Sequence, residues 1–297
     1  MAILTPPSDP FAQHLRRLRR LACHKRRITE LAQWLETQGL LTPRLAQLRS
    51  CRSWMLFRHY PELNLFHLQQ TLSCNLPLLC PLCAIRRAAR ASYAYQLRVE
   101  DLLARHPDLT LSYAVLTIQN QADLAERFDH LQRQARILIA RRRAALSALR
   151  GHSQFAYASQ SCFAPVLAGA YSFEVKRGSG SHLWHPHLNL LLLSHRPIHP
   201  QHLSDEWYSL TQDSYITYCQ PRQPDPSTFV EIFKYALKFS DLSYPDNYHV
   251  YQLLSHRKLL GCFGAFRGIK IPPRDTLIDA SYHDLFYRYL IGEYFSL

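Results

Sequence analysis

The sequence lacks the features of several specialised protein classes. Nine glycines in 297 residues are too few for a collagen-like or glycine-linker protein. No uninterrupted apolar run approaches the roughly 18–20 residues of a membrane-spanning helix. The first residues are not a basic stretch followed by an apolar one, so we expect no secretion signal. Hydrophobic residues make up 47% of the chain, which excludes general disorder and predicts a globular protein with a sizeable core.

Acidic residues are also scarce. Asp and Glu number 22 against 35 Lys and Arg, which gives a formal net charge of +13. A charge of this size favours polyanionic partners, namely DNA, RNA or an anionic membrane surface. Arginines are concentrated on the outer faces of two predicted helices, at 11–38 and 127–150. These faces either neutralise phosphates or are ordinary solvated helix surfaces.

The order of the predicted elements indicates an α+β fold. Apolar residues at helical spacing predict a helix over 11–38, and a Thr-Pro pair at 42–43 begins a second helix that should run to about Met55. The segment from Cys51 to Cys83 has no clean periodicity and is followed by another helix. The later elements read β, α, β, β, α, β, α, over 111–119, 122–150, 168–176, 184–193, 201–213, 214–220 and 228–239. A short loop joins two of these strands, which implies an antiparallel pair.

Four of the eight cysteines fall in one segment, at Cys51, Cys74, Cys80 and Cys83. The last two form a Cys-x-x-Cys pair, whose thiolates can grip one metal ion, and the first two would complete a closed structural zinc site. Disulfides are typical of small secreted domains, and this chain is neither small nor expected to be secreted. Two other interpretations remain open. The cysteines are ordinary buried residues, or the pair is redox-active, although no thioredoxin-like strand precedes it.

A second candidate site lies in the segment Trp-His-Pro-His-Leu-Asn. On a strand, alternation places His185, His187 and Asn189 on one face, where buried polar groups are costly unless they bind something. Glu174 in the preceding strand would lie beside them and would complete an open Mg²⁺ or Mn²⁺ site. One His-x-His pair is expected by chance among sixteen histidines, and Glu174 next to Lys176 is also compatible with a surface position. The pattern His-x-His-x-Asp-His is absent, which argues against a dinuclear hydrolase.

A third candidate is a tyrosine in the helical segment EIFKYALK. Glu231, Tyr235 and Lys238 share one face of a helix at i, i+4 and i+7. A tyrosine with lysine neighbours can act as a nucleophile, because nearby cations stabilise the phenolate. The chain has seventeen tyrosines, however, and most tyrosines only pack or form hydrogen bonds.

Taken together, these segments resemble the rolling-circle replication initiators of small bacterial plasmids, a family of HUH endonucleases with one catalytic tyrosine. The motifs that carry the resemblance are the cysteine cluster followed by two arginines, then VLTIQN, FEV, WHPHLNLLL and EIFKYALK, in that order. They extend over roughly residues 51–270. The stretch HRKLLGCFGAFRG also looks like the region that follows the family's tyrosine.

The resemblance implies an antiparallel, ferredoxin-like HUH sheet with flanking helices, preceded by a helical region and a cysteine-rich zinc module. The strand Val115 to Asn120 would be the family's first, structural motif. The four cysteines would match the family's cysteine positions upstream of the nuclease. The implied domains are a basic helical region (1–50), a zinc module with a linker helix (51–105), an endonuclease domain (106–275) and a C-terminal tail (276–297).

The resemblance also implies the roles of the site residues. Tyr235 would be the nucleophile, with Lys238 as its cationic companion. Glu174, His187 and Asn189 would hold Mg²⁺ or Mn²⁺. The implied activity is to nick and rejoin single-stranded DNA at a plasmid origin through a 5′-phosphotyrosine. The implied partners in the bacterial cytoplasm are single-stranded or hairpin origin DNA and the host polymerase and helicase, with no membrane.

One position departs from the family pattern. The family has a second histidine where this chain has Asn189, whose oxygen can still bind a hard cation. This substitution favours Mg²⁺ or Mn²⁺, or transfers the ligand role to His185. Two alternative functions remain, the second of which depends on Asn189. One is a single-tyrosine transposase or relaxase, and the other is a non-enzymatic, zinc-containing DNA-binding regulator with a decayed nuclease site.

Overall fold

The structure is a computed structural model that describes residues 9–40, 42–150, 161–214, 216–233, 242–270, 278 and 280–297. Among these residues, no helix is both long enough and apolar enough to cross a membrane. The secondary-structure elements, in chain order, are α1 (Pro10–Thr37), α2 (Thr42–Ser50), β1 (Trp54–Tyr60), a short 3₁₀ turn (Pro61–Leu63), β2 (Leu65–Thr71), α3 (Pro81–Arg105), β3 (Thr110–Thr117), α4 (Leu124–Leu149), β4 (Val166–Arg177), β5 (Trp184–Ser194), α5 (Pro200–Thr211), β6 (Thr217–Pro221), α6 (Pro226–Phe233), α7 (Tyr244–Leu254), β7 (Leu260–Gly264), β8 (His283–Leu290) and β9 (Glu293–Ser296).

The chain divides into two compact units. Unit 1 combines Met1–Arg86 with Pro273–Leu297, and unit 2 is the intervening segment Arg87–Pro272. Each unit has its own antiparallel sheet, so the predicted α+β class is confirmed.

Unit 1 is a four-stranded sheet with α1 packed on one face. The strand order is β2-β1-β8-β9. The α1 helix begins after Asp9, whose carboxylate accepts a hydrogen bond from the backbone N–H of Phe11 at 2.9 Å. The ring of His14 then stacks on Phe66 with a centroid distance of 4.1 Å and meets the ring of Phe57 edge-on at 4.7 Å. A stripe of apolar side chains continues the buried face of α1 at Leu18, Leu21, Ala22, Ile28, Leu31 and Leu35.

Unit 1 differs from the sequence prediction in three places. The second helix ends at Ser50 and not near Met55, because Arg52 adopts a left-handed conformation with φ 51° and the chain then enters β1. The segment without periodicity contains the β1–β2 hairpin. The region predicted as a C-terminal tail contains β8 and β9, and β8 pairs with β1 along its length.

Unit 2 is built on a five-stranded antiparallel sheet in the order β6-β3-β5-β4-β7. Its first six elements after α3 follow the predicted order of strand, helix, strand, strand, helix and strand. The long strands β4 and β5 pair from Ser194 to Trp184, which confirms the predicted antiparallel pair. The α7 helix and β7 follow α6, in a region where the sequence pattern predicts no element.

The two faces of this sheet are covered by different helices. On one face, Phe128 of α4 packs on Phe173 of β4 with a ring distance of 5.4 Å. On the other face, α3 and α6 form a core with inward residues of the strands, among them Tyr113, Ala170 and Leu191. Because side chains alternate along a strand, the odd-numbered residues of β5 and the even-numbered residues of β4 share this second face.

Candidate active site and metal centre

Glu174, His187 and Asn189 lie together on the α3–α6 face of the unit 2 sheet. Glu174 of β4 and His187 of β5 are direct cross-strand partners, and Ser172 pairs with Asn189 one step along the ladder. All three side chains are buried, with 7%, 6% and 4% of their surface exposed, respectively. The register of two neighbouring strands thus brings these three predicted ligands to one place.

The carboxylate of Glu174 is the centre of this cluster. Its Oε2 atom accepts hydrogen bonds from Nε2 of His187 at 3.1 Å and from Nδ2 of Asn189 at 3.3 Å. Two ligands at right angles on an octahedral ion with bonds near 2.1 Å lie about 3 Å apart. The 3.1 Å separation is compatible both with this hydrogen bond and with neighbouring ligands of Mg²⁺ or Mn²⁺, and His187 would bind a cation through Nε2 only with its proton on Nδ1. The buried Nδ1 atom of His187 has no hydrogen-bond partner within the described part of the chain.

Asn189 is held by a residue on a third strand. Its Oδ1 atom accepts a hydrogen bond at 2.8 Å from the hydroxyl of Tyr113 on β3. In this orientation the amide nitrogen, which is not a metal ligand, faces Glu174. A half-turn of the amide would direct its oxygen to the site and offer its nitrogen to the Tyr113 oxygen, which can also accept a hydrogen bond. Asn189 thus fits the ligand set after this turn, and Tyr113 fits either orientation.

His185 lies on the same face, nearer the end of the sheet. Its ring centroid is 5.4 Å from that of His187, and its Nδ1 atom is 2.5 Å from Oδ1 of Asn120. Burial, together with the neighbouring charges of His187 and Lys176, lowers the pKa of His185 to about 4, so the imidazole is neutral at pH 7. Because the amide oxygen accepts the Nδ1 proton, Nε2 keeps its lone pair, and His185 remains an alternative ligand.

Helix α6 covers the sheet next to the cluster. The hydroxyl of Ser172, the cross-strand partner of Asn189, donates a 2.5 Å hydrogen bond to the backbone oxygen of Ile232. Phe229 and Ile232 of the same helix are fully buried in the core of this face. The predicted nucleophile Tyr235 and its companion Lys238 lie outside the described residues.

The four clustered cysteines converge in unit 1. Cys51 follows α2, Cys74 follows β2, and Cys80 and Cys83 flank the first turn of α3. All four side chains are buried, and their sulfur atoms lie within 4.8 Å of one another. Across the described residues, this is the one group of three or more His, Cys, Asp or Glu side chains so arranged. The predicted convergence is confirmed.

The sulfur–sulfur distances distinguish a metal site from disulfides. The sulfur of Cys51 lies 3.6 Å from that of Cys80 and 3.7 Å from that of Cys83, and the sulfurs of Cys74 and Cys83 are 3.5 Å apart. A disulfide needs about 2.05 Å. A tetrahedral ion with metal–sulfur bonds near 2.3 Å spaces its ligands by about 3.8 Å, close to the observed distances. The four cysteines could hold a structural metal ion such as zinc.

The surroundings favour a negative charge on one of the four sulfurs, that of Cys83, whereas hydrogen bonds to the neighbouring thiols together with burial raise the pKa values of Cys74 and Cys80. The thiols of Cys51, Cys74 and Cys80 and the backbone N–H of Asn75 form hydrogen bonds to Cys83, which lower the pKa of that thiol. The start of α3 adds the positive end of a helix dipole. Lys25 of α1 is also buried here. Burial lowers the pKa of Lys25, and the nearby charges of Cys51, Cys80 and Cys74 partly oppose this effect. Its ammonium donates to the backbone oxygen of Arg49.

Three residues that orient this chemistry were not found from the sequence. Tyr113 fixes Asn189, Asn120 fixes His185, and Ser172 fixes the backbone of α6. Each lies in or directly after a predicted strand, so a polar residue in an otherwise apolar strand was the available signal. Their partners lie on other strands or helices, which the sequence order alone does not reveal.

No protein-family model, no curated protein and no solved structure matches this chain. The geometry of the residues themselves is therefore the basis on which a function can be proposed.

Proposed function

We propose that the chain nicks and rejoins single-stranded DNA through a phosphotyrosine at Tyr235, and so initiates rolling-circle replication of a plasmid. The observation that carries the proposal is the buried cluster of Glu174, His187 and Asn189 on adjoining strands. Buried polar side chains on an apolar sheet face are costly unless hydrogen bonds or a ligand satisfy them, and the Nδ1 atom of His187 has no partner among the described residues.

The topology of unit 2 supports the proposal. The succession β3, α4, β4, β5, α5, β6 has the same βαββαβ order as ferredoxin-like folds, the class that the resemblance to HUH endonucleases implies. The two central strands of this unit, β3 and β5, are neighbours, and β5 carries the histidines. The family resemblance in the sequence and the strand order of the structure thus agree.

The position of α6 supports the choice of nucleophile. Ser172 binds the backbone of Ile232, and Ser172 lies two residues before Glu174 on the same strand face. Tyr235 follows Ile232 by three residues, a length of chain that spans at most about 11 Å. The connection is therefore short enough for a phenol at this position to reach the cluster.

The proposed reaction is a transesterification. The phenol oxygen of Tyr235 attacks the scissile phosphorus, the bond from phosphorus to the 3′-oxygen breaks, and the departing 3′-oxygen takes up a proton as the phenol loses one. The product is a 5′-phosphotyrosine and a free 3′-hydroxyl, which primes a polymerase. Glu174, His187 and Asn189 would hold Mg²⁺ or Mn²⁺, which when bound polarises the phosphate. Lys238 would stabilise the developing negative charge.

The test is the covalent adduct itself. Purified protein is incubated with Mn²⁺ and single-stranded oligonucleotides that tile the replicon encoding it, and the products are separated on a denaturing gel. We expect an adduct that is lost in Tyr235→Phe and in Glu174→Gln and is retained in Tyr93→Phe, a control at an exposed tyrosine of α3. Adduct formation by Tyr235→Phe, or no adduct with any oligonucleotide and either metal, would contradict the proposal.

A second function is favoured by the orientation of Asn189. Its amide oxygen is bound by Tyr113, and its nitrogen faces Glu174, so the hydrogen-bonding groups of Asn189 are satisfied without a metal ion. Such a cluster suits a DNA-binding regulator that keeps the cysteine site and has lost the nuclease. Sequence-specific binding to replicon DNA, with no adduct in Mg²⁺ or Mn²⁺, would favour this regulator.

A further inference from the structure

One face of α1 carries an unusual concentration of positive charge. Between the start of the helix and Glu30 there is no acidic residue, whereas seven lysines and arginines occur there. Arg16, Arg19 and Arg20 are exposed, and within the described residues no ion pair neutralises any of them. We call these three side chains the α1 basic face.

The spacing of these arginines is unfavourable for the isolated helix. Arg16 lies three and four residues before Arg19 and Arg20, distances at which like charges repel. Arg17 adds to this repulsion, since burial and the charges of Arg52 and Arg20 lower its pKa. A bound polyanion would relieve the repulsion, which suggests that the α1 basic face has a ligand.

The arginines of α4 provide a contrast. Arg127 pairs with Asp213, Arg141 pairs with Glu206 at 3.2 Å, and Arg142 donates to the backbone oxygens of Val166 and Leu167. These arginines stabilise unit 2. Three other arginines of α4 are exposed and spread over eleven residues, at Arg133, Arg136 and Arg143.

The opposite side of α1 limits the kind of partner. Its apolar stripe is buried in unit 1, and the exposed apolar side chains of the first two turns, Phe11 and Leu15, are too few to insert the helix into a bilayer. The segment from Arg16 to Arg27 also contains no Phe, Tyr or Trp, the side chains on which unpaired bases stack. The three arginines fall within about 6 Å along the helix axis, which suits adjacent phosphates of a regular backbone.

We propose that the α1 basic face binds the phosphate backbone of duplex DNA without reading its sequence. The choice of DNA over other polyphosphates rests on the proposed function. The face would hold the double-stranded DNA that flanks a single-stranded nick site.

The experiment measures how the affinity for duplex DNA depends on salt. A fluorescently labelled duplex of arbitrary sequence is titrated with protein by polarisation, without divalent metal, over a range of KCl concentrations. The variant Arg16→Gln/Arg19→Gln/Arg20→Gln removes the face with a residue that favours helix. Each lost phosphate contact reduces the slope of log K against log[salt] by about 0.9, so we expect a reduction of about 2.7 and an affinity loss of tenfold or more.

The charge-matched control is Arg133→Gln/Arg136→Gln/Arg143→Gln on α4, which should leave the slope unchanged. Equal reductions in both triple variants would assign the effect to net charge and overturn the proposal. So would an unchanged slope in the α1 variant, tighter binding to single strands than to the duplex, or binding to anionic phosphatidylserine vesicles without binding to DNA. Circular dichroism and the metal content of each variant verify folding.

The same variants separate this proposal from the proposed nickase. Tyr235→Phe should lose the adduct and keep the duplex affinity, whereas the α1 triple variant should lose affinity and still form adduct at low salt. Adduct formation thus tests the nickase and duplex affinity tests the α1 basic face, so either proposal can fail without the other.

Discussion

Replacing His14 with phenylalanine should remove a pH-dependent part of the stability of unit 1, the unit that positions the α1 basic face. The imidazole is 3% exposed, and neither ring nitrogen has a hydrogen-bond partner among the described residues. Burial, Arg17 and His59 lower the pKa of His14 from 6.5 to about 4. The folded protein thus favours the neutral ring.

The sign and size of the effect follow from proton linkage. Above pH 6.5 the ring is neutral in both states, and between pH 6.5 and 4 only the unfolded chain takes up the proton, so stability falls as the pH falls. Since a tenfold change in proton affinity corresponds to about 1.4 kcal/mol, about 2 kcal/mol is lost between pH 7.5 and 5. If the ring is protonated in the folded state, its cation–π interaction with Phe66 would offset about 1 kcal/mol of this loss. The stability lost between pH 7.5 and 5 is therefore at least about 1 kcal/mol.

Urea denaturation at pH 7.5 and pH 5 measures this contribution as the difference between wild type and His14→Phe. Between pH 7.5 and pH 5, we expect the free energy of unfolding to fall by about 1–2 kcal/mol less in the variant than in wild type. Leu35→Ala is the control, because it lowers stability at both pH values by removing packing at the far end of α1 and leaves the surroundings of His14 unchanged. Parallel pH profiles for wild type and His14→Phe would refute the reasoning.

Three further predictions concern the two candidate sites. Cys80→Ser should abolish the metal bound per chain, measured by elemental analysis, while Cys219→Ser in unit 2 keeps it; equal metal content in both would remove the cysteine site. Asn189→His should raise adduct yield or broaden the range of active metals, and complete loss would tell against its ligand role. Ser172→Ala leaves the Ile232 carbonyl without its hydroxyl partner and should lower the free energy of unfolding by about 1–2 kcal/mol. A urea midpoint equal to that of wild type would mean that this bond does not anchor α6.

The elements of unit 2 were predictable because their signals are local. Along β5 the polar residues His187 and Asn189 alternate with Leu188 and Leu190, and the strand has the face assignment that this alternation predicts. Glu174 faces the same way because the short β4–β5 connection fixes the register. The orientation of the Asn189 amide was not predictable, since it depends on Tyr113 of β3, seventy-six residues away.

Unit 1 was harder to predict, for a physical reason. In β1, Met55 and Phe57 face α1 while Trp54 and Leu56 are half-buried on the other side, so the strand shows no alternation of apolar and polar residues. Its partner β8 comes from the far end of the sequence. Arg52 ends the preceding helix with a left-handed conformation that an arginine rarely adopts, and no residue in the sequence signals it.

The pairing of β1 with β8 has a consequence for synthesis of the protein. Arg58 lies opposite Asp284, so 226 residues separate them, and a ribosome adding 5–20 residues per second needs about 10–50 s to make that length. Until residues 283–290 are made, the edge of β1 that pairs with β8 has no partner strand. A truncated chain that ends before residue 283 lacks β8, so this edge of β1 stays open to pairing with other chains. We expect such truncated chains to aggregate or to be degraded by proteases.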